Sequence, residues 1–295
     1  MKRCLLIFSL FLCSLTFIAS QGLAQEVESK NSLNLKLSGR IQLQHVYNNK
    51  FRTEKTYTYH GFRMRRVRFQ FDGKLTDYLS GKVQIEARDN SPRLKDAVGQ
   101  LKIYENYYLR FGQFKIPVWR EEFRRSSGDL ILVERSSAST FLIVNLLSAR
   151  QIGVEFGGNI LPKLSFAANY SNGSGEGNSE IEILRIVNDE PLLTVNNGKL
   201  YSGRIDYTLN KQVEVAVSGA VNYVGNRIDT LNSTGKNWVI APDFGIYLPA
   251  GIDIEGGLAY GSISKSFLKE LDDQDYVIAD VTGRWKKMLR ESNKN

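Results

Sequence analysis

The chemistry this sequence could do rests on a set of basic side chains: Arg66, Arg68, Lys82, Arg88, Arg110, Lys115, Arg120, Arg124, Arg125, Arg135 and Arg150. A guanidinium offers paired donors to an oxyanion, and an ammonium offers a compact point charge. An anion that sheds water in a narrow passage recovers its lost hydrogen bonds from such groups, provided each contact is weak enough to release it. Taken singly, each of these residues also reads as a solvated surface charge, or as a rim contact to anionic lipopolysaccharide. Carboxylates are interleaved with them at Glu86, Asp96, Glu121, Glu122 and Glu134. Structural ion pairs are the plainer reading of those neighbours.

Other chemistries have little material. Cys4 and Cys13 both fall in the first 25 residues, so the remainder can form neither a disulfide nor a thiolate metal site. His45, near the end of the first strand-like stretch, and His60, in the loop expected after it, read as exposed polar residues. They are poor material for a histidine metal centre or for a lipolytic Ser–His pair, so no enzyme and no cofactor is expected. Gly173-Ser174-Gly175-Glu176-Gly177 lacks the Lys-Ser/Thr and the following helix of a phosphate-binding loop, and reads as flexible loop. The net charge of +8 accompanies an export signal and two-faced strands, which argues against a nucleic-acid partner.

The basic residues need elements to hold them. Lys2 and Arg3 precede an apolar run from Leu5 to Phe17, and Gly22-Leu23-Ala24 supplies small residues for cleavage after Ala24 or Gln25. The run is shorter than the ~20 residues of a spanning helix. Residues 1–25 are therefore expected to be a secretory signal, and 26–295 the exported chain.

Beyond it, apolar and polar residues alternate. Leu33, Leu35, Leu37, Ile41 and Leu43 share one face, and Asn34, Lys36, Ser38, Arg40 and Gln42 the other. Val67, Phe69 and Phe71 alternate with Arg66, Arg68 and Gln70; Val83 and Ile85 with Lys82, Gln84, Glu86 and Arg88. The same pattern recurs around residues 164–170, 204–209, 213–223, 252–260 and 277–285. Period-two alternation puts one set of side chains on each face of a sheet. A soluble sandwich and a membrane barrel both satisfy it. Strands of roughly 10 residues match what a tilted bilayer crossing requires. Tight connections at Thr76–Ser80 and Asn210–Gln212 contrast with long ones at 115–149 and 172–199, the habit of outer-membrane barrels. About twelve strands are readable, and the expected class is all-β, a transmembrane antiparallel barrel.

Residues 62–156 carry a more specific signal. Arg-Arg-x-Arg opens a strand at Arg65, and Leu94-Lys95-Asp96-Ala97 follows. Then come Leu109-Arg110-Phe111-Gly112-Gln113-Phe114-Lys115-Ile116-Pro117, Glu134-Arg135-Ser136 and Arg150-Gln151-Ile152-Gly153-Val154. In order and spacing this segment resembles the phosphate-selective porin O and P family. The resemblance implies a 16-stranded, homotrimeric porin of the Gram-negative outer membrane, set among its lipids and lipopolysaccharide. It further implies an inward-folded loop at about 115–149 and passive diffusion of small anions, inorganic phosphate or polyphosphate among them. The end of the chain departs from the family. The last strand-like stretch ends near Trp285 and a polar tail follows to Asn295, so a shortened or truncated barrel is expected. The competing function is a structural or adhesive barrel without transport.

Overall fold

A computed structural model describes residues 34–52, 55–88, 91–131, 134–177, 183–187, 190–194, 198–224, 235–268 and 270–285. The expected signal (1–25) and the polar tail after Trp285 lie outside the described residues. Among the described residues there are fourteen strands: β1 (Asn34–Arg52), β2 (Lys55–Lys74), β3 (Leu79–Arg88), β4 (Ser91–Tyr104), β5 (Tyr107–Lys115), β6 (Arg150–Leu161), β7 (Leu164–Ser171), β8 (Ile183–Val187), β9 (Glu190–Thr194), β10 (Leu200–Thr208), β11 (Val213–Val224), β12 (Gly235–Leu248), β13 (Ile252–Ile263) and β14 (Gln274–Trp285). Three short helices, α1 (Arg120–Arg124), α2 (Ser137–Asn145) and α3 (Lys265–Leu268), lie in the connections.

Twelve strands form one sheet in the order β1-β2-β3-β4-β5-β6-β7-β10-β11-β12-β13-β14, each antiparallel to the next. The resemblance implied sixteen; the described residues contain twelve in this sheet, with β8 and β9 forming a separate hairpin inside the 172–199 connection. At one end the connections are tight and locally satisfied. Thr76 Oγ1 accepts from the amides of Tyr78 and Leu79, and Asn210 Oδ1 from those of Gln212 and Val213. Such side-chain acceptors mimic a backbone turn. Two strands run to about twice the expected length. β1 and β2 run 19 and 20 residues and stay paired to Arg52 and Lys55, through one bulge at Arg65. His60 is therefore inside β2 and not in a loop: this stretch lacks apolar alternation, yet its backbone continues the ladder.

Burial decides between sandwich and barrel. The apolar face is the open one: Leu35 and Ile41 are 68% and 70% exposed, and Phe69, Phe111, Tyr201 and Val277 are exposed with them. The polar face is the closed one, with Glu155 and Asn222 at 0%. A water-soluble sandwich would bury the first set; a membrane barrel turns it to lipid and keeps the polar set inside.

The sheet must also curl. Twelve strands about 4.8 Å apart would, laid flat, set β1 and β14 about 50 Å from one another. Yet Ser127 Oγ accepts from Arg40 of β1 (3.4 Å) and Arg68 of β2 (2.6 Å), while the Leu130 carbonyl accepts from Arg284 of β14 (3.3 Å). Residues 127 and 130 lie no more than about 11 Å apart along the chain. Both edges therefore flank one short stretch of the 116–149 connection, although among the described residues they share no ladder.

That connection lies inside because its apolar residues find a dry wall there. Ile116, Val118, Trp119, Ala138, Leu142 and Leu146 are buried against Leu200, Ala220, Val239, Ala241 and Ala259. The wall residues on β11–β13 are small, which leaves room for α2. Trp119 sits at φ 62°, ψ 124°, a costly conformation for a bulky residue, held by burial and by the hydrogen bond its backbone N–H donates to Ser218 Oγ (3.2 Å). Replacing Trp119 by Ala is expected to lower the unfolding free energy by about 3–5 kcal/mol. Denaturant titration of the barrel in lipid vesicles, read by band shift on unheated gels, measures it; a loss below about 1 kcal/mol would contradict this packing.

Candidate functional site

The inner wall is divided. Along β10–β14 it is filled by the 116–149 connection. Along β1–β7, at the tight-turn end, it opens into a cavity of about 840 Å³. Six basic side chains line that cavity, Lys36, Lys74, Lys82, Lys102, Arg110 and Arg124, against four carboxylates, Asp72, Asp77, Glu105 and Asp206. The lining therefore carries a net positive charge.

The strand-borne basic residues form a ladder on this wall. Arg66 donates to Gln42 Oε1 (2.8 Å) and lies 3.3 Å from Glu134. Arg68 meets Glu86 at 2.6 Å. Asp96 is shared by Lys82 and Arg150, each at 2.7 Å. Arg110 and Tyr108 both donate to Glu155 Oε1, at 2.5 and 2.9 Å, and the Arg110 guanidinium lies over the Phe114 ring. Arg88 closes β3, and its side chain is outside the described residues.

The connection contributes the rest. Lys115, the last residue of β5, donates to the carbonyls of Glu122 and Arg125 and so ties off the far end of α1. Arg120 meets Asp243 (3.1 Å), Glu214 (2.7 Å) and the Tyr247 hydroxyl (3.2 Å). Burial works against its charge, but Glu214 and Asp243 outweigh it and hold the guanidinium above its usual range. Arg124 pairs with Asp206 at 3.1 Å, and Arg125 with Glu255 at 2.5 Å. Arg135 pairs with Glu122 at 2.5 Å and donates to the Glu121 carbonyl. Arg65 donates to Glu134 Oε1 at 2.6 Å, and this bond draws the Glu134 carboxyl below its ordinary range despite partial burial.

Each basic residue named from the sequence whose side chain is described thus has a carboxylate beside it. They differ in what remains open. The side chains of Arg124 and Lys82 are 44% and 36% exposed, and both line the cavity. Arg120 and Arg150 are buried in their pairs. Three basic cavity residues were not singled out from the sequence: Lys36, Lys74 and Lys102. Lys36 was legible as a polar-face residue of the first strand, and the alternation through Gly99–Tyr104 would have exposed Lys102. Arg204 and Asp243 were missed as well. Arg204 is fully buried, bidentate to Asp243 at 2.6 and 2.7 Å and bonded to Asp206 at 2.9 Å.

The glycine-rich stretch after β7 is not loose. The Gly175 and Gly177 amides donate to Gln151 and Gln113, the Gly173 carbonyl accepts from Asn222, and Glu176 pairs with Lys95 at 2.9 Å. Gly173 is at φ 77° with the Asn222 side chain 2.4 Å from where a Cβ would stand, so glycine is needed both for the backbone and for the close approach.

Among solved structures, the chain is similar to OmpT, an outer membrane protein of Vibrio cholerae folded in vitro and seen as a trimer. The identity is 11% and the TM-score 0.47, over 86% of this chain and 84% of that one. It is also similar to Pseudomonas putida OprB, at 10% identity and TM-score 0.48, over 85% and 70%. A third likeness is to Salmonella typhi OmpF in complex with daunomycin, at 12% and 0.43, over 88% of each chain. No curated protein matches the sequence. The family model for phosphate-selective porin O and P matches residues 35–182, half of the chain, with its motifs on β2, β4, β5, β6 and the connection inside the sheet. The chain belongs to the phosphate-selective porin O and P family.

Proposed function

We propose that this outer-membrane porin conducts small anions passively, phosphate or polyphosphate among them, along the β1–β7 side of its interior. Anions collect in the cavity at the tight-turn end and pass the open sides of Arg124, Lys82 and Arg110. The observation that carries this reading is the positive balance of the cavity lining, six bases to four carboxylates. A guanidinium whose paired donors are partly taken by a carboxylate still attracts a passing anion but holds it less tightly, which suits conduction better than binding. The strand-face bases Arg66, Arg68, Lys82, Arg88 and Arg110 set the field. Lys115, Arg120, Arg125, Arg135 and Arg150 act in it mainly by fixing the connection that narrows the path, with residues 115–149 as the constriction. In this proposal the exported chain follows cleavage of residues 1–25, assembles as a homotrimer, and meets lipopolysaccharide and lipid with its outer face.

Reversal potentials across planar bilayers test the proposal. Removing two charges from the path, Lys82→Gln with Arg124→Gln, is expected to cut the anion-to-cation permeability ratio by about half or more. Lys265→Gln, on exposed α3, should leave it unchanged. An equal effect of both would refute this placement of the filter, and an absence of channels would favour a barrel with a structural role. Asp206→Asn frees Arg124 from its partner while Arg204 keeps Asp243. The anion preference should then rise. A fall would contradict the view that carboxylates here restrain the arginines.

A further inference from the structure

The chain has two histidines, and they are neighbours. In the β1–β2 register His45 pairs with Phe62 and Tyr47 with His60, so the imidazoles are diagonal across the ladder and on the same face. Their ring centres lie 6.4 Å apart with planes tilted by 39°. Both are exposed, and among the described residues neither ring has a hydrogen-bond partner. The Phe62 ring meets His45 edge-on at 5.0 Å and limits where that imidazole can swing. β2 is 20 residues long, about twice what a tilted bilayer crossing needs. His60 lies in the half of β2 distant from the tight turn, and His45 is beside it. The pair therefore stands past the hydrocarbon layer, in reach of water.

We infer that His45 and His60 form a surface site for a borderline divalent transition metal ion, Cu²⁺ first and Zn²⁺ less tightly. Neutral imidazole nitrogen suits these ions, and affinity at a nitrogen site rises to Cu²⁺ and falls again at Zn²⁺. Metal–nitrogen bonds of about 2.0–2.1 Å put two imidazoles that share an ion about 5–6.5 Å apart between ring centres. The observed spacing is at the upper end of that range, and a small side-chain rotation of two exposed residues shortens it. Water completes the coordination, so the ion stays exchangeable. Mg²⁺ and Ca²⁺ require oxygen ligands and are excluded. A bound ion would tie β1 to β2 beyond the bilayer, independently of any anion path.

Calorimetric titration of the tag-free chain from residue 26 onward, which has no cysteine, folded in detergent micelles, tests this with Cu²⁺, Zn²⁺ and Mg²⁺ chlorides. One Cu²⁺ per chain is expected, with weaker Zn²⁺ and no Mg²⁺ uptake. His45→Asn and His60→Asn should each weaken Cu²⁺ binding by about tenfold or more, and Tyr47→Phe should not. Both histidines are exposed, and band-shift gels confirm that each variant is folded. No saturable Cu²⁺ uptake would overturn the proposal. So would parent-like affinity in either single variant, or in the double variant.

Discussion

Asp243 holds two guanidinium groups at once. Arg204 reaches it from β10 in a bidentate pair, and Arg120 reaches it from the connection between β5 and β6. All three are buried. A buried carboxylate with its partners removed costs about 3–5 kcal/mol, so the connection cannot lift from this wall cheaply. Such a cluster adds less net stability than its short distances suggest, because three charges must leave water. What it does supply is position: one side of the interior is closed and the other left open.

The rest of the interior follows from that choice. Small residues on β11–β13 accept the apolar side of the connection, and the Asn222 and Asn237 side chains bond the carbonyls of Leu146 and Asn145 at the end of α2. Lys82, Lys102 and Arg110 on β3–β5 then face a space that the connection does not fill, while Arg66 and Arg68 reach Glu134 and Ser127 of the connection. Lys82 and Arg110 are each held by a carboxylate, which fixes the side chain and moderates its field. Outside, the strands of the twelve-stranded sheet present apolar groups to lipid, and the ladders between neighbouring strands pair their backbone groups without water.

Much of this was legible in the sequence wherever the two faces of a strand see different solvents. β2, β3, β10 and β11 alternate cleanly because one face meets lipid and the other polar groups. β12 does not. Its inward residues include Val239 and Ala241, which pack on the connection, and Pro242 interrupts its ladder to β13, so both faces read as apolar. The cluster around Asp243 went unseen for the same reason. Arg120 was singled out, but its partner lies 123 residues away on a strand without a clear pattern. The arginine-rich motifs fall on the β1–β7 wall and on the connection. They did not distinguish an open side chain such as Arg124 from a buried one such as Arg150, since that difference depends on where the connection lies.

The central claim is that anions travel along the β1–β7 wall and not along β10–β14. Cys4 and Cys13 both fall in residues 1–25, so in a chain expressed without that stretch single cysteines can be placed without background. The direct measurement is block of bilayer current by charged thiol reagents at Gln100→Cys, on the cavity wall, and Ala241→Cys, behind the connection. The account predicts block at position 100, faster with an anionic than a cationic reagent, and none at position 241. Faster reaction of the cationic reagent at 100, or block at 241 alone, would contradict it.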